Sequence, residues 1–316
     1  MNRNKDLWKA YLALACVCFF WGTTYLGIRI GVRTLPPLWL VGIRQTLAGG
    51  LICAYFLLRR QPLPSWRQLK TLLIAGCLMI VIGNGVVAWA ELYIPSGLAA
   101  LLCSLVPFWI IGFNLLLRQA EGLNLKTLIG LLVGLAGLVA IFYGNLKDLA
   151  NPDYLAGTLA ILAANAGWAG GTIYLKRHQP SLPPLFSAGL QLLLAGLVVD
   201  GLSLAVGVPF PEKFTDEAIG VLAYLILFGS ILAYGAYVYA LTKLPSTLIS
   251  LYAYINPVVA VLLGWFLLDE ALTGPILVAM VLILAGVYLV NKSLEKRKSA
   301  PPASVEPPVT VASGKA

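Results

Sequence analysis

The chain has 316 residues, of which 59% are hydrophobic and only 11% charged, and its mean hydropathy is +0.87. A soluble domain carries about 25% charged residues, so this composition excludes a soluble fold and favours one surrounded by lipid. The net charge of +9 does not indicate a nucleic-acid partner, because the basic residues stand in short clusters between apolar runs.

Apolar runs of about 20 residues, the length that spans a bilayer, predict ten transmembrane helices. The first run is too long for a cleaved signal peptide and is interpreted as the first helix. Residues 293–316 are predicted to form a disordered cytoplasmic tail, since 299–316 are rich in Pro, Ala, Ser and Val without a period. The predicted helices cover roughly residues 10–31, 37–58, 69–90, 96–117, 124–143, 155–175, 184–206, 218–241, 246–268 and 274–291.

Lysine and arginine predict the orientation of these helices. With the N-terminus inside, 17 of the 22 basic residues fall in cytoplasmic segments and 3 in outer ones, and Arg29 and Arg44 lie within helices. This asymmetry predicts that both termini are cytoplasmic in a multi-pass membrane protein with an even number of spans.

The two halves of the chain repeat one another at an offset of 147 to 150 residues, which predicts a five-helix repeat over 1–148 and a second over 149–292. Because five is odd, the second copy must enter the membrane inverted, as in many secondary transporters. The fold class expected is therefore all-α integral membrane, with ten helices in two inverted repeats around a central cavity. The matches are Trp21 with Trp168, Pro36-Pro37 with Pro183-Pro184, Leu47-Ala48-Gly49 with Leu194-Ala195-Gly196, Pro107 with Pro257, and Ala136-Gly137 with Ala285-Gly286.

Pro107 and Pro257 lie near the middle of helices 4 and 9, where each removes a backbone N–H and frees a carbonyl group. Such carbonyls must face protein or a cavity at this depth. The pair therefore predicts either a substrate cavity or two packed kinks. The polar and aromatic neighbours that would line the cavity are Ser104, Tyr252, Tyr254 and Asn256.

Further candidates for the cavity stand on helices 1, 3, 6 and 8. Asn84 is an amide deep in a span, and Tyr234 and Tyr237 share one helix face because they are three residues apart. Trp21 with Tyr25, and Trp168 with Thr172, form i,i+4 pairs that either line a cavity or pack between helices.

Four charged residues fall inside the predicted spans: Arg29, Arg44, Glu91 and Asp200. Charges at this depth indicate function by default. Arg44 and Glu91 are expected to approach each other or to share a water-filled outer vestibule. The alternative is a structural ion pair, or side chains that extend to the headgroups.

No chemistry-bearing motif accompanies these residues. There is no GxxxxGK[ST] loop, the one histidine is His178 in a cytoplasmic loop, and the five cysteines lack metal-ligand spacing. We therefore expect no catalytic residue, no metal and no cofactor, and a protein that is not an enzyme. The partners expected are a small-molecule substrate and the lipid bilayer, with no nucleic acid, in a monomer or a homodimer.

The sequence resembles EamA-type members of the drug/metabolite transporter superfamily, and among them the YedA-like branch. This resemblance implies a basket of two EamA-type five-helix repeats, with helices 1–4 and 6–9 around the cavity. It also implies a bacterial inner-membrane location and export of amino acids, related metabolites or drugs. The segments that carry it are Trp21-Gly22-Thr23-Thr24-Tyr25, Arg29-Ile30-Gly31, Pro36-Pro37 with Arg44, Gly83-Asn84-Gly85, Ala90-Glu91, Pro95-Ser96-Gly97, Gly229-Ser230 and Tyr252-Ala253-Tyr254-Ile255-Asn256-Pro257.

The function expected is a secondary transporter that exports small amphipathic metabolites, such as amino acids, by alternating access. One alternative is a multidrug exporter or a translocator of lipid-linked sugars. An alternative of another class is a membrane-embedded enzyme or receptor.

Overall fold

The structure is a computed structural model that describes residues 2–117, 125–144, 151–250 and 252–298. These residues form helices with short connections, and no β-strand occurs among them. The first five helices are α1 (Asn2–Gly31), α2 (Pro37–Leu58), α3 (Trp66–Ala90), α4 (Ser96–Leu116) and α5 (Leu125–Gly144). The others are α6 (Pro152–Arg177), α7 (Pro184–Ala205), α8 (Asp216–Lys243), α9 (Ser246–Ile249 followed by Tyr252–Leu268) and α10 (Gly274–Lys298).

Two helix ends differ from the prediction by more than three residues. Helix α1 begins at Asn2, and α10 continues to Lys298, so six residues assigned to the tail are helical. The charged ends of both helices lack apolar character, so a search for apolar runs stops too early there. The rest of the predicted tail, 299–316, lies outside the described residues.

Six of the described helices, α1 (from Leu7) to α4 together with α7 and α8, are long and apolar enough to cross a membrane. Helices α5, α9 and α10 contain shorter apolar stretches. Helix α6 has 26 residues, or about 39 Å at 1.5 Å per residue, more than a hydrocarbon core requires. The protein is therefore an all-α integral membrane protein.

Matching local signals begin equivalent helices in the two halves. Pro37 starts α2 after Pro36, and Pro184 starts α7 after Pro183. Proline suits the first helical position because its fixed φ is helical and its missing N–H is not needed there.

Helices α3 and α8 each contain a π-helical segment that the sequence analysis did not predict, at Cys77–Gly85 and Leu225–Leu232. A π-helix is wider than an α-helix and changes the direction of carbonyl groups, and such segments often occur at functional sites. They lie at corresponding positions of the two halves.

The two proline-containing helices are interrupted differently. In α4 the helix stops after Cys103 and resumes at Val106, so Pro107 occupies the tolerated start of a new segment. In α9 the first piece ends at Ile249, and the second continues through Pro257. The break in α9 therefore lies about two turns before Pro257, which is accommodated inside the helix.

The helices pack in pairs that relate the two halves. Helices α2 and α7 pack together, as do α5 and α10, and the first part of α4 and the second part of α9. Helix α1 packs against α8 and α9, and α6 packs against α3 and α4. Exchanging each helix for its equivalent in the other half leaves this set of pairings unchanged.

Glycines let the backbones of the paired helices approach closely. A Cβ at Gly49 of α2 would lie 2.6 Å from the Gly189 carbonyl oxygen, and one at Gly196 of α7 would lie 2.5 Å from the Thr46 nitrogen. A Cβ at Gly286 of α10 would lie 2.6 Å from a carbonyl oxygen of α5. No larger residue fits these positions, so the repeated Ala-Gly motifs mark helix contacts.

Candidate functional site

A cavity of about 670 Å³ lies between the two halves, with a wall built from α1, α2, α3, α4, α6, α8 and α9. This volume includes the part of the cavity that is open to solvent, and the wall is mostly apolar with a few polar groups, the usual composition of a small-molecule site. The predicted cavity residues that line it are Trp21, Tyr25, Asn84, Trp168, Tyr234, Tyr252 and Asn256.

One side of the cavity is an aromatic cluster around Trp21. The ring centroid of Trp21 is 4.9 Å from that of Tyr252, 5.1 Å from Tyr237 and 5.3 Å from Trp168. Tyr234 lies 6.2 Å away. Both the Trp168 and Tyr252 contacts are edge-to-face, a favourable geometry for aromatic pairs. The cluster offers apolar ring surface to a solute and holds α1, α6, α8 and α9 together.

The two equivalent indoles of this cluster differ in hydrogen bonding. Trp21 Nε1 donates to the Gly229 carbonyl oxygen in the π segment of α8, at 3.0 Å. Trp168 Nε1 is buried and has no acceptor among the described residues. Both side chains are equally buried, at 8% exposure, so the difference is in bonding and not in access to water.

Two buried amides hold the interrupted helices. Asn165 of α6 donates from Nδ2 to the Leu102 carbonyl oxygen at 2.8 Å, just before the break in α4. With its amide nitrogen turned toward the neighbouring carbonyls, Asn256 donates to Tyr252 at 3.0 Å and to Cys18 at 2.9 Å. Backbone carbonyls near the breaks are thus satisfied by side chains, as burial requires.

Asn84 differs from these amides. It lies in the π segment of α3 and faces the cavity. Its side chain makes no hydrogen bond within the part of the chain that the structure describes, so its donors and acceptor are available to a solute.

Arg44 is the one charged residue in the described cavity wall. It is 4% exposed, and its Nε donates to the Ser230 hydroxyl at 2.8 Å. That hydroxyl in turn donates to the Gln45 side-chain oxygen at 2.9 Å. A chain of three polar groups therefore links α2 to the π segment of α8.

The predicted approach of Arg44 to Glu91 is not found among the described residues. Arg29 instead donates to the backbone oxygen of Glu91, while both Glu91 carboxylate oxygens are buried without a hydrogen-bond partner there. The position of Arg44 and Glu91 along their helices predicted their depth in the membrane. It could not predict the direction in which each side chain points, because that depends on how each helix is rotated. The alternative prediction of a shared outer vestibule stays a prediction.

The Arg29 contact has an equivalent in the other half. Lys176 of α6 donates to the carbonyl oxygens of Leu241 at 2.7 Å and of Leu244, at the end of α8. Arg29 aligns with Lys176 in the repeat, and each cation meets the C-terminal end of the equivalent helix, α3 or α8. A positive charge there stabilises the helix dipole and its unpaired carbonyls.

The other predicted residues lie away from the cavity wall. Asp200 packs between α7 and α2, where its Oδ2 accepts from the Thr46 hydroxyl at 2.7 Å. Ser104 is buried and donates to the Leu101 carbonyl oxygen at 2.6 Å. The side chain of Tyr254 lies outside what the structure describes. Pro107, Pro257 and Tyr237 are buried behind the wall.

Several polar lining residues were missed by the sequence analysis: Thr24, Gln45, Asn165 and Ser230. Asn165 carried the same signal as Asn84, an amide in the middle of an apolar helix. The sequence did not mark Gln45 or Ser230 as cavity residues. Their place in the wall depends on the hydrogen bonds to and from Ser230 and on the π segment of α8.

Within the described ranges, no group of three or more His, Cys, Asp or Glu side chains could hold a metal ion. The polar groups of the cavity are amides, hydroxyls and one guanidinium, which suit recognition of an organic solute.

These features define the class of polytopic membrane proteins with a central solute cavity. Comparison with known proteins identifies the family within this class. The model of the EamA-like transporter family matches residues 8–143 and again residues 155–292. The chain is 39% identical to the uncharacterized inner membrane transporter YedA of Escherichia coli (strain K12) over 303 residues, 91% of this chain and 94% of that protein. It is 29% identical to protein PecM of Dickeya dadantii over 286 residues, 89% and 93% of the two chains.

A solved crystal structure of a protein at 22% identity superposes with a TM-score of 0.68, covering 90% of this chain and 98% of that one. At this identity the similarity concerns the fold alone. The match to the family model and the 39% identity to YedA show that the chain belongs to the EamA-like transporter family, on its YedA-like branch. The protein is therefore a membrane transporter.

Proposed function

We propose that this transporter resides in an inner membrane and exports small amphipathic metabolites, such as amino acids, by alternating access between two inverted five-helix repeats. The observation that carries the proposal is the central cavity, whose wall takes residues from both halves. In such transporters a site near the midplane is exposed to either side as the halves exchange conformations.

The inverted repeat is supported by three features. The helix pairings are unchanged when the halves are exchanged. The π segments occur at equivalent places in α3 and α8. The family model matches twice, within the proposed repeats 1–148 and 149–292. Ten spans follow if α5, α6, α9 and α10 cross the membrane with the six longer apolar helices, and the basic residues then favour cytoplasmic termini.

The location and the direction of transport rest on relatives. YedA is named an inner membrane transporter, which supports the same location here. Export is the usual activity implied by the family resemblance. The mixture of aromatic rings and amides in the cavity supports an amphipathic solute, because rings cover its apolar part and amides bond its polar part.

Transport is tested with purified protein in liposomes, using a panel of radiolabelled amino acids and related metabolites with and without an imposed pH gradient. We expect flux of at least one solute above protein-free liposomes. Everted and right-side-out vesicles then give the direction. Absence of flux for the whole panel would overturn the proposed function.

The cavity is tested with two matched substitutions. Asn84→Leu removes an unpaired amide from the wall, so we expect at least a fivefold loss of flux with little change in Tm. Asn114→Leu removes another amide of the membrane region, buried at 3% exposure with an unpaired Nδ2 and outside the cavity wall, and should retain flux. Equal flux in both variants would place the transport path elsewhere.

A further inference from the structure

The guanidinium of Arg44 is a buried cation that the described part of the protein does not neutralise. No carboxylate of these residues lies within 4.0 Å of it, and neither aspartate nor glutamate occurs in the cavity wall. Glu91 lies with Arg29, and Asp200 is bonded to Thr46. Among the described residues, Arg44 is thus bonded only to a neutral hydroxyl.

The bonding at Arg44 is also incomplete. Of its three nitrogens, Nε is used by Ser230, while the two Nη nitrogens, with four N–H donors, have no acceptor among the described residues. The two Nη nitrogens are unpaired but not fully enclosed: they are in contact with open space. They border the cavity, next to Gly229.

An unpaired charge at this depth is costly, and an arginine in a membrane faces a partner, water or a ligand. The planar pair of Nη nitrogens matches the two oxygens of a carboxylate, which can accept two parallel hydrogen bonds. The hydroxyl of Ser230 and the amide of Gln45 hold the guanidinium in place through Nε, so that the Nη edge stays directed at the cavity.

We propose that Arg44 is the anion-binding group of the substrate site and that this transporter prefers carboxylates with an apolar or aromatic body over amines and neutral analogues. The inference rests on the proposed function and names its substrate class. The apolar body lies against Trp21 and Tyr252, whose rings form the other side of the cavity. An ammonium group would meet no carboxylate in the described wall, so an amine gains no counter-charge there.

The test uses four probes with one aromatic body: 3-phenylpropionate, L-phenylalanine, 3-phenylpropanol and phenethylamine. Binding to the purified full chain is measured by isothermal titration calorimetry and by the shift in Tm. We expect 3-phenylpropionate to bind at least tenfold more tightly than the alcohol and the amine, because hydrogen bonds to charged groups contribute more than those to neutral ones.

Substitutions at Arg44 then separate charge from packing. Arg44→Gln should weaken 3-phenylpropionate at least tenfold and leave the alcohol within about twofold, as a neutral internal control. Arg44→Lys should be intermediate, since it keeps the charge but loses the planar fork. If Arg44→Gln does not purify as a folded protein, the test is the Arg44→Lys variant, in which we expect a weaker carboxylate preference than in the wild type.

The inference is overturned if neither carboxylate binds, if alcohol and carboxylate bind equally, or if both variants keep the wild-type preference. These outcomes would give Arg44 a structural role only. Flux in liposomes distinguishes this failure from failure of the proposed function: movement of a neutral or cationic solute without a carboxylate preference leaves the transporter intact and removes only the anion site.

Discussion

At the scale of single residues, Trp21 and Trp168 form a natural matched pair. They are equivalent in the repeat, equally buried, and in edge-to-face contact at 5.3 Å. Only Trp21 has a hydrogen-bond acceptor among the described residues. The same substitution at the two positions therefore removes different interactions.

Trp21→Phe should lower Tm more than Trp168→Phe. The first leaves the buried Gly229 carbonyl without its donor, at a cost of about 1–3 kcal/mol, whereas the second removes a donor that is already unpaired. For a chain of this size about 1 kcal/mol corresponds to about 2–4 °C. Thermal unfolding in one detergent measures both variants. Equal losses of Tm would contradict the prediction and show that lost ring packing, not the hydrogen bond, destabilises both.

The residue types of the site could be predicted from the sequence, but not their partners. Trp21, Trp168 and Asn84 stand out because aromatic and amide side chains are conspicuous within apolar helices. The pairing of Arg44 with Ser230 could not be predicted, since it depends on the rotation of α2 and on the widened turn of α8.

At the scale of helices, the interruption in α4 leaves a first segment of only eight residues, Ser96–Cys103. Glu270, between α9 and α10, holds its N-terminus. The Glu270 carboxylate accepts from the Ser96 hydroxyl at 2.8 Å, the Ser96 N–H at 3.3 Å and the Gly97 N–H at 3.4 Å. A side chain from the second half thus caps a helix of the first.

Glu270→Gln should lower stability by about 1 kcal/mol, because a neutral amide cannot replace the anion at a helix N-terminus. Asp269→Asn is the matched control: Asp269 is exposed, and asparagine tolerates its φ of 54°. Chemical denaturation of the two variants in the same micelles measures the difference. A stability of Glu270→Gln equal to that of Asp269→Asn would contradict the role of the cap.

The apolar runs predicted the bodies of the helices well, because length and hydropathy determine which segments can enter a bilayer. They did not predict the π segments, whose residues differ little in hydropathy from those around them. Nor did proline alone locate the break in α9, since Pro257 continues a helix that is interrupted near Ser250.

At the scale of the whole molecule, the two halves share one set of helix contacts. In the proposed topology, the first helix of the second half starts on the opposite side of the membrane from the first helix of the first half. Thr34 and Ser181 make this testable. They are 147 residues apart, stand in equivalent connections, and are both exposed. Inverted repeats place such equivalent positions on opposite faces of the membrane.

Single cysteines at Thr34 and Ser181, in a background without the five native cysteines, should react differently with a membrane-impermeant thiol reagent. We expect Thr34→Cys to be labelled in intact cells and Ser181→Cys only after permeabilisation. Lys213→Cys, in the connection after α7, is the control for an outer position in the second half. Labelling of Thr34→Cys and Ser181→Cys from the same side would contradict the inverted topology.

The glycine contacts between α2 and α7 have a mechanical consequence. At Gly49 and Gly196 the two backbones meet directly, while the stacked Phe56 and Phe186 rings and the Thr46–Asp200 hydrogen bond join the same helices on either side. Helices in direct backbone contact can tilt about the crossing point with few side chains displaced there, so we expect this crossing to act as a hinge. Movement of the two halves would then be concentrated in the aromatic cluster, and the α2–α7 contact would remain still.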